Sequence, residues 1–340
     1  MQSMKGRALL VLAVLALTAS ACGGSGTTTG GTKQLKVCDD ESDLANPAVV
    51  SMVDAMKAEA AKHPQEISFS VQYTTGVEDQ VSKMETMIAQ HCDVIGLHPR
   101  DAKAVTPAIT EAHDKGIKVI LLVDDVPGAV DSGIATQIIS GDEQKGGADL
   151  GTWLAKTYPD GGEYAIIMGE SGNFAAIYRS KGFTDAAAAN PAWKKVAENS
   201  ANWARDQGLT VATNMLTAHP NLKAIFANND EMAFGALQAI KARNKFGKVA
   251  LIGYNGTCIG IQATLQGNFQ ADGILPIPEF GQQFILSALA IGKGQTIPKT
   301  VAPPIVSLST EQAKGIQAGT TQPDPASLKG RIAQAASGCS

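Results

Sequence analysis

Short apolar runs recur along the chain, each followed by a longer stretch whose apolar positions fall three and four apart. The runs read as strands: LKVCDD (35–40), ISFSVQY (67–73), DVIGLHP (93–99), KVILLVD (118–124), ATQIIS (135–140), EYAIIMG (163–169), KAIFAN (223–228), VALIGYN (249–255) and ADGILP (271–276). The stretches between them read as helices. NPAVVSMVDAMKAEAAKH carries Asn46 as a cap and Pro47 in the first turn, where a missing N–H costs least. TPAITEAHDKG is predicted to start at Pro107 and stop at Gly116, and DEMAFGALQAIKA puts Ala233, Leu237 and Ile240 on one face. Alternating strands and helices predict parallel sheets covered on both faces. There are too many such units for one sheet of five or six strands, so the predicted fold class is α/β with two lobes.

Each strand runs into polarity: DDES, HPRD, DD, GES, NNDE and YNGT. Any one of these clusters reads equally well as a turn or a helix cap. Ligands of open α/β sheets bind beyond the carboxyl ends of the strands. Taken together, Asp124–Asp125, Asn228–Asn229–Asp230 and Asn255 therefore point to a cleft between the lobes.

Composition removes several function classes. A chain of 340 residues, 44% hydrophobic and 18% charged, is that of a globular protein too long for one ordinary core. The net charge of −4 comes with no basic block, which argues against nucleic acid as a partner. The five histidines are scattered and no two cysteines have zinc-finger spacing, so neither a metal site nor a cofactor is expected. Neither G-x-S-x-G nor G-x-G-x-x-G occurs, and an enzyme is not expected.

Lys5 and Arg7 precede the apolar run ALLVLAVLAL (8–17), and small residues then lead to Cys22. That is the pattern of a secretory signal, and the run is too short to span a membrane. TASAC followed by GGSGTTTGG resembles a bacterial lipoprotein signal, with Ala19 where Leu is more usual. The resemblance implies a signal peptide (1–21), lipidation at Cys22 and a flexible tether (22–32). The protein is then exported and either anchored through its lipid to the outer face of the cell membrane or periplasmic; the alternative is a plain secreted protein with a chance Cys at this position. Cys38, Cys92, Cys258 and Cys339 remain, which permits disulfides in three connectivities. Cys38 and Cys92 fall on strands expected to be neighbours.

LTAHPNLKAIFANNDEMAFGALQAI followed by VALIGYNGT resembles the ribose-type periplasmic binding proteins. These are the substrate-binding components of bacterial sugar ABC importers and share their fold with LacI-type repressors. NPAVVSMVDAMKAEAAKH, VIGLHPRDAKAVTPAITEAHDKGIKVILLVDD and ISGDEQKGGADLGTWLA fit the same pattern in order, and the likeness spans residues 33–310. A signal and tether stand where the repressors carry a helix-turn-helix. The resemblance implies two Rossmann-like lobes joined by a three-crossover hinge near 140–142, 275–278 and 300–304. The first lobe would be 33–140 plus 277–302, and the second 141–276 plus 303–340. It further implies a monomer, a small sugar or polyol as ligand and an ABC permease as partner. A sensor feeding a chemoreceptor or kinase would use the same closing lobes. A pocket with two acidic groups could instead receive an amine.

The implied ligand-binding residues are Asn46, His98, Asp124, Asp125, Arg179, Trp203, Asn229 and Asn255, with Asp230 capping the helix after Asn229. Several differ from the family pattern. The two aromatics that follow Asn-Pro in the family and sandwich a sugar ring are here Ala48 and Val49. His98 stands where ribose binders have Asn, and Asp124-Asp125 replaces Asp-Arg. Ile177 occupies the position of one family Arg, while Arg179 matches a second. Trp203 matches the aromatic of the second lobe, and Asn255 replaces an Asp. The family's final Gln falls near Leu275 or Pro276 and is lost. His98 and Trp203 also read as buried structural residues, and Asp125 as facing solvent. With one aromatic wall missing and Asp125 added, the pocket is expected to be more acidic than a ribose site. It would suit an acyclic polyol or a smaller sugar. A carboxylate shared between two hydroxyls is a charge-assisted contact, and an analogue lacking one hydroxyl leaves the buried acid short of a partner.

Overall fold

Long unbroken apolar strands must be covered on both sides, and the fold does this twice. A computed structural model describes residues 34–42 and 45–339; the signal, the tether and Cys22 lie outside them. The chain runs β1 (Leu35–Glu41), α1 (Pro47–Ala60), β2 (Ile67–Tyr73), α2 (Val77–Ala89), β3 (Val94–Leu97), α3 (Ala102–Asp114), β4 (Lys118–Leu122), α4 (Ala129–Ser132) and β5 (Gln137–Ile139). It continues through α5 (Glu143–Thr157), β6 (Gly162–Met168), α6 (Phe174–Ala187), β7 (Trp193–Ser200), α7 (Arg205–Ala218), β8 (Leu222–Ala227), α8 (Asp230–Ala242), β9 (Ala250–Asn255), α9 (Cys258–Leu265) and β10 (Ala271–Ile274). It ends with α10 (Ile277–Gly292), β11 (Thr300–Val301), β12 (Val306–Ser309), α11 (Thr310–Ala318) and α12 (Ser327–Ser337).

Two six-stranded sheets result, ordered β11-β5-β4-β3-β1-β2 and β12-β10-β9-β8-β6-β7. All pairings are parallel except β10 with β12. The chain crosses between the sheets after β5, after β10 and between β11 and β12. In each sheet the order reverses beside its first strand: β1 lies between β2 and β3, and β6 between β7 and β8. Loops leaving the strands on either side of that point diverge to opposite faces and open a crevice. The residues at the two crevices are Asp39, Asp40, Glu41 and His98 in one lobe, and Gly169, Asn228 and Asn229 in the other.

The amphipathic stripes decide how helices dock. In α1, Val49, Met52, Val53 and Met56 are all buried, at the spacing of one helix face. The Asn46 side chain accepts the N–H of Ala48 and starts this helix, with Pro47 at its first position. Disulfides join Cys38 to Cys92 and Cys258 to Cys339, and the second ties α12 to α9.

Three expectations need correction. α3 starts at Ala102 under an Asp101 cap, so Pro107 lies inside the helix; the cap side chain accepts the N–H of Ala104 and fixes the start ahead of the proline. Asn229, not Asp230, caps α8. β7, β11 and β12 carry no apolar run that marks them, because β7 is an edge strand with most side chains exposed or half-exposed and the other two are short.

Candidate ligand site

The two crevices face each other across a cavity of about 490 Å³. Six of the eight expected ligand residues line it: Asn46, His98, Asp124, Arg179, Trp203 and Asn255. Asp125 and Asn229 do not. Asp125 follows the turn that aims Asp124 at the cleft, and partial burial raises its pKa. Asn229 lies behind the wall.

In the first lobe, the end of β4 is bent sharply. Val123 has φ +63°, and the N–H of Asp124 reaches back to the carbonyl of Leu122 at 2.6 Å. A β-branched residue rarely adopts positive φ, and such strain persists only where surrounding contacts hold it. Here the N–H of Val123 is held by the Ile139 carbonyl, and its own carbonyl accepts the Ser140 hydroxyl. The turn sends Asp124 across the cleft. Its Oδ1 accepts the N–H of Ala175 (2.8 Å) and its Oδ2 accepts the Asn173 amide (2.8 Å), both from the start of α6 in the second lobe. A carboxylate at a helix N-terminus is favoured by the unpaired N–H groups and the helix dipole there.

His98 stands behind Asp124. Its Nδ1 is 2.8 Å from Glu41 Oε2 and its Nε2 is 3.3 Å from Asp124 Oδ2. Burial by itself would lower the imidazole pKa, but Glu41 and then Asp124 outweigh it and lift the value to about 10. His98 is therefore an imidazolium bridging two acids. Both its nitrogens are spent on this bridge, and it reaches the cavity as a wall.

In the second lobe Arg179 is buried and held on four sides. Its Nε and Nη2 meet Glu143 at 2.7 and 3.0 Å, and Nη1 donates to the Asn228 carbonyl (2.8 Å) and to Asn255 Oδ1 (3.0 Å). Tyr254 lies 4.2 Å beneath the guanidinium and donates its hydroxyl to Glu143. With Asn255 Oδ1 taken by Arg179, its amide N–H groups are left for the cavity.

Trp203 sits at φ +63° after Asn202 at φ +47°. Asn229 fixes this bend from behind: Oδ1 accepts the N–H of Met232 to cap α8, and Nδ2 donates to the Trp203 carbonyl at 3.0 Å. Gly169 lies directly under the indole, where a Cβ would come within 2.1 Å of the ring. Asp230, placed one residue into α8, accepts the N–H and hydroxyl of Thr257 at 2.8 and 2.6 Å and so holds the turn after Asn255. Burial raises Asp230 to about 6 despite these bonds. Among the described residues, six other than glycine have positive φ, and four of them, Val123, Asn202, Trp203 and Asn255, line this one cavity.

Each cation around the cavity faces an acid: Arg179 meets Glu143, Arg100 meets Glu170 across the cleft (3.1 Å), Arg205 meets Glu231 (2.8 Å), and His98 sits between two acids, Glu41 and Asp124. Asp125 is absent from the lining, which includes the exposed Asp206. Glu41, Glu143, Asn173 and Tyr254 were missed by sequence reasoning. Only Asn173 had a local signal, as a helix cap; its side chain also accepts the N–H of Ala176.

Residues 42–296 match the family of periplasmic binding protein domains. The chain is 35% identical over 217 residues to the D-ribose/D-allose-binding protein of Pseudomonas aeruginosa, covering 62% of this chain and 68% of that protein. It is similar to an ABC transporter periplasmic solute-binding protein of Actinobacillus succinogenes with bound D-allose, at TM-score 0.76 and 32% identity over 83% of this chain and 100% of the other. The Caulobacter myo-inositol-binding protein, bound to myo-inositol, gives TM-score 0.77 and 28% identity over 82% and 94% of the two chains.

Proposed function

We propose that this chain, which belongs to the ribose-type periplasmic binding proteins, captures a neutral sugar or polyol between its lobes and delivers it to the permease of an ABC importer. Its family comprises exported solute-binding proteins, not enzymes. The observation that carries the ligand class is that every cation lining the cavity already faces an acid. Arg179, Arg100 and His98 each already face an acid. An anion would find no cation without an acid beside it, and Asp124, which shares the one imidazolium with Glu41, already accepts from the neutral N–H groups of Ala175 and Asn173. The groups left over are those a hydroxyl needs. Asn46 and Asn255 offer amide N–H donors, since their oxygens are taken by Ala48 and Arg179. Asp124 keeps acceptor capacity beyond its bonds to Ala175, Asn173 and His98. Trp203 supplies a flat apolar face for the C–H side of a ring.

Relatives that carry D-allose and myo-inositol support the same class. Thermal-shift measurements with pentoses, hexoses, inositols, alditols and polyamines test it, because a ligand that binds only the folded chain raises Tm. Shifts from neutral polyhydroxylated compounds are expected; shifts from polyamines alone would refute the reading. The anchor is assigned to Cys22 on the strength of TASAC ahead of the Gly/Ser/Thr tether. Cys22→Ala is expected to release the protein from the membrane fraction, and retention there would refute lipidation.

A further inference from the structure

The cavity does not stop at the indole of Trp203. Its wall continues through Arg205 and Leu209 of α7 and Glu231 and Gln238 of α8, opposite Ser42 and Val49 of the first lobe. We propose that this outer part is a second subsite, and that the ligand is a sugar linked to a second polyhydroxylated ring, as in a disaccharide. The proposal rests on the sugar reading above and extends it.

Size is the first argument. The cavity of about 490 Å³ falls in the range of roughly 300–1,000 Å³ of pockets that bury drug-sized ligands. A hexose has only twelve non-hydrogen atoms, fewer than such a ligand. One ring seated against Trp203, Asn255 and Asp124 leaves the outer part unfilled. Among the described residues, the cavity-lining side chains at the start of α1 are the small ones of Ala48 and Val49. From Glu231 to Gln238 the α8 wall extends about 10 Å at the helical rise, longer than a single sugar ring.

Chemistry is the second argument. Arg205 donates two N–H groups to Glu231 at 2.8 Å each, and its guanidinium lies 4.8 Å from the Phe234 ring. The fork is thereby fixed, with further N–H groups left for hydroxyl oxygens. The Gln238 side chain is exposed and makes no hydrogen bond among the described residues, so its amide offers both donors and an acceptor. Leu209 gives the apolar contact that the C–H face of a ring takes. Arg205 and Glu231 cancel in charge, and the remaining charged group of this end, Asp206, is exposed to solvent and can accept from a hydroxyl.

Isothermal titration calorimetry with matched pairs tests this: glucose with maltose and cellobiose, galactose with melibiose, and xylose with xylobiose, with sorbitol added as a ringless alditol. Each pair is titrated into the wild-type chain, Gln238→Ala and Arg205→Ala. In at least one pair the two-ring compound is expected to bind about tenfold tighter than its one-ring parent. Both substitutions should cut that advantage at least threefold while leaving the parent's affinity unchanged. A one-ring compound that binds while every two-ring partner binds more weakly overturns the subsite and leaves the sugar reading standing. A two-ring preference that neither substitution alters also overturns it. Binding of no saccharide or alditol at all overturns the subsite and the sugar reading together.

Discussion

Asp124, at the end of β4 in the first lobe, accepts a 2.8 Å hydrogen bond from the backbone N–H of Ala175, at the start of α6 in the second. The closed cleft is thus capped by a side chain from one lobe on a helix of the other. Asn173 adds a second bond to the same carboxylate, and His98 holds it from behind. On the function proposed above, ligand binding and lobe closure share this one carboxylate.

Asp124→Ala is therefore expected to weaken ligand binding more than tenfold. It should also enlarge the radius of gyration of the ligand-free chain in small-angle scattering, because α6 loses its cross-cleft cap. The imidazolium of His98 would be left facing Glu41 alone. Unchanged affinity together with an unchanged radius would place closure elsewhere.

Asn229→Ala acts differently, since its amide is spent on the α8 cap and on the Trp203 carbonyl. Loss of such a cap costs about 1–2 kcal/mol. A lower unfolding midpoint in urea is expected, with affinity reduced through the loosened Trp203 bend. Asn229→Asp keeps the capping oxygen but loses the donor to Trp203, and should recover most of the stability without the affinity. Equal stability of all three chains would contradict the assigned role.

Much of this was readable along the chain. KVILL in β4 and the Asn46-Pro47 start of α1 announce themselves, because a doubly covered strand is continuously apolar and a cap sits next to the helix it starts. β7 did not, since its edge position leaves Lys194 and Lys195 exposed and hides the alternation. At the site, strand-end polarity marked Asp124, His98 and Asn255. It could not reveal what holds them. Glu143 meets Arg179 across 36 residues of sequence and Tyr254 across 111. No local pattern records such pairs. Nor did it separate Asn229 from Asp230, adjacent residues whose side chains take different directions at the first turn of α8.

Stability should fall as pH rises. Burial pushes Asp40 to about 8, while His98 is lifted to about 10 by Glu41 and Asp124 against the effect of burial. Each keeps, in the folded chain, a proton it has released when unfolded. Asp40 does so from its ordinary value of 3.8 up to about 8, and His98 from 6.5 up to about 10. The folded state binds more protons over those windows, so each contribution is complete below the lower value and lost as pH passes the upper one. Tm is expected to decline between about pH 6 and about pH 9.5, and Asp40→Asn should flatten the part below about pH 8. A Tm that rises across this range would contradict the assignment.

The Cys258–Cys339 bridge closes a separation of 81 residues and holds α12 against α9. Arg331 of α12 donates to the carbonyls of Leu275, at a crossover between lobes, and Gly256, next to Asn255. On the chain-entropy account a loop of this length is worth about 4.5 kcal/mol. Cys339→Ser is expected to lower the unfolding free energy by about that amount in urea titrations. An unchanged midpoint would mean that α12 adds nothing through this bond.

The central claim is that a neutral polyhydroxylated ligand is enclosed between the lobes against Trp203. The chain has three tryptophans, and Trp153 and Trp193 lie outside the cavity lining. A Trp153→Phe, Trp193→Phe chain leaves Trp203 as the sole reporter, and its fluorescence can be titrated with each sugar, polyol and polyamine. The account predicts a saturable change in Trp203 emission with a neutral sugar or polyol and none with spermidine or putrescine. Saturation by a polyamine alone, or calorimetric binding of a sugar that leaves Trp203 emission untouched, would contradict it.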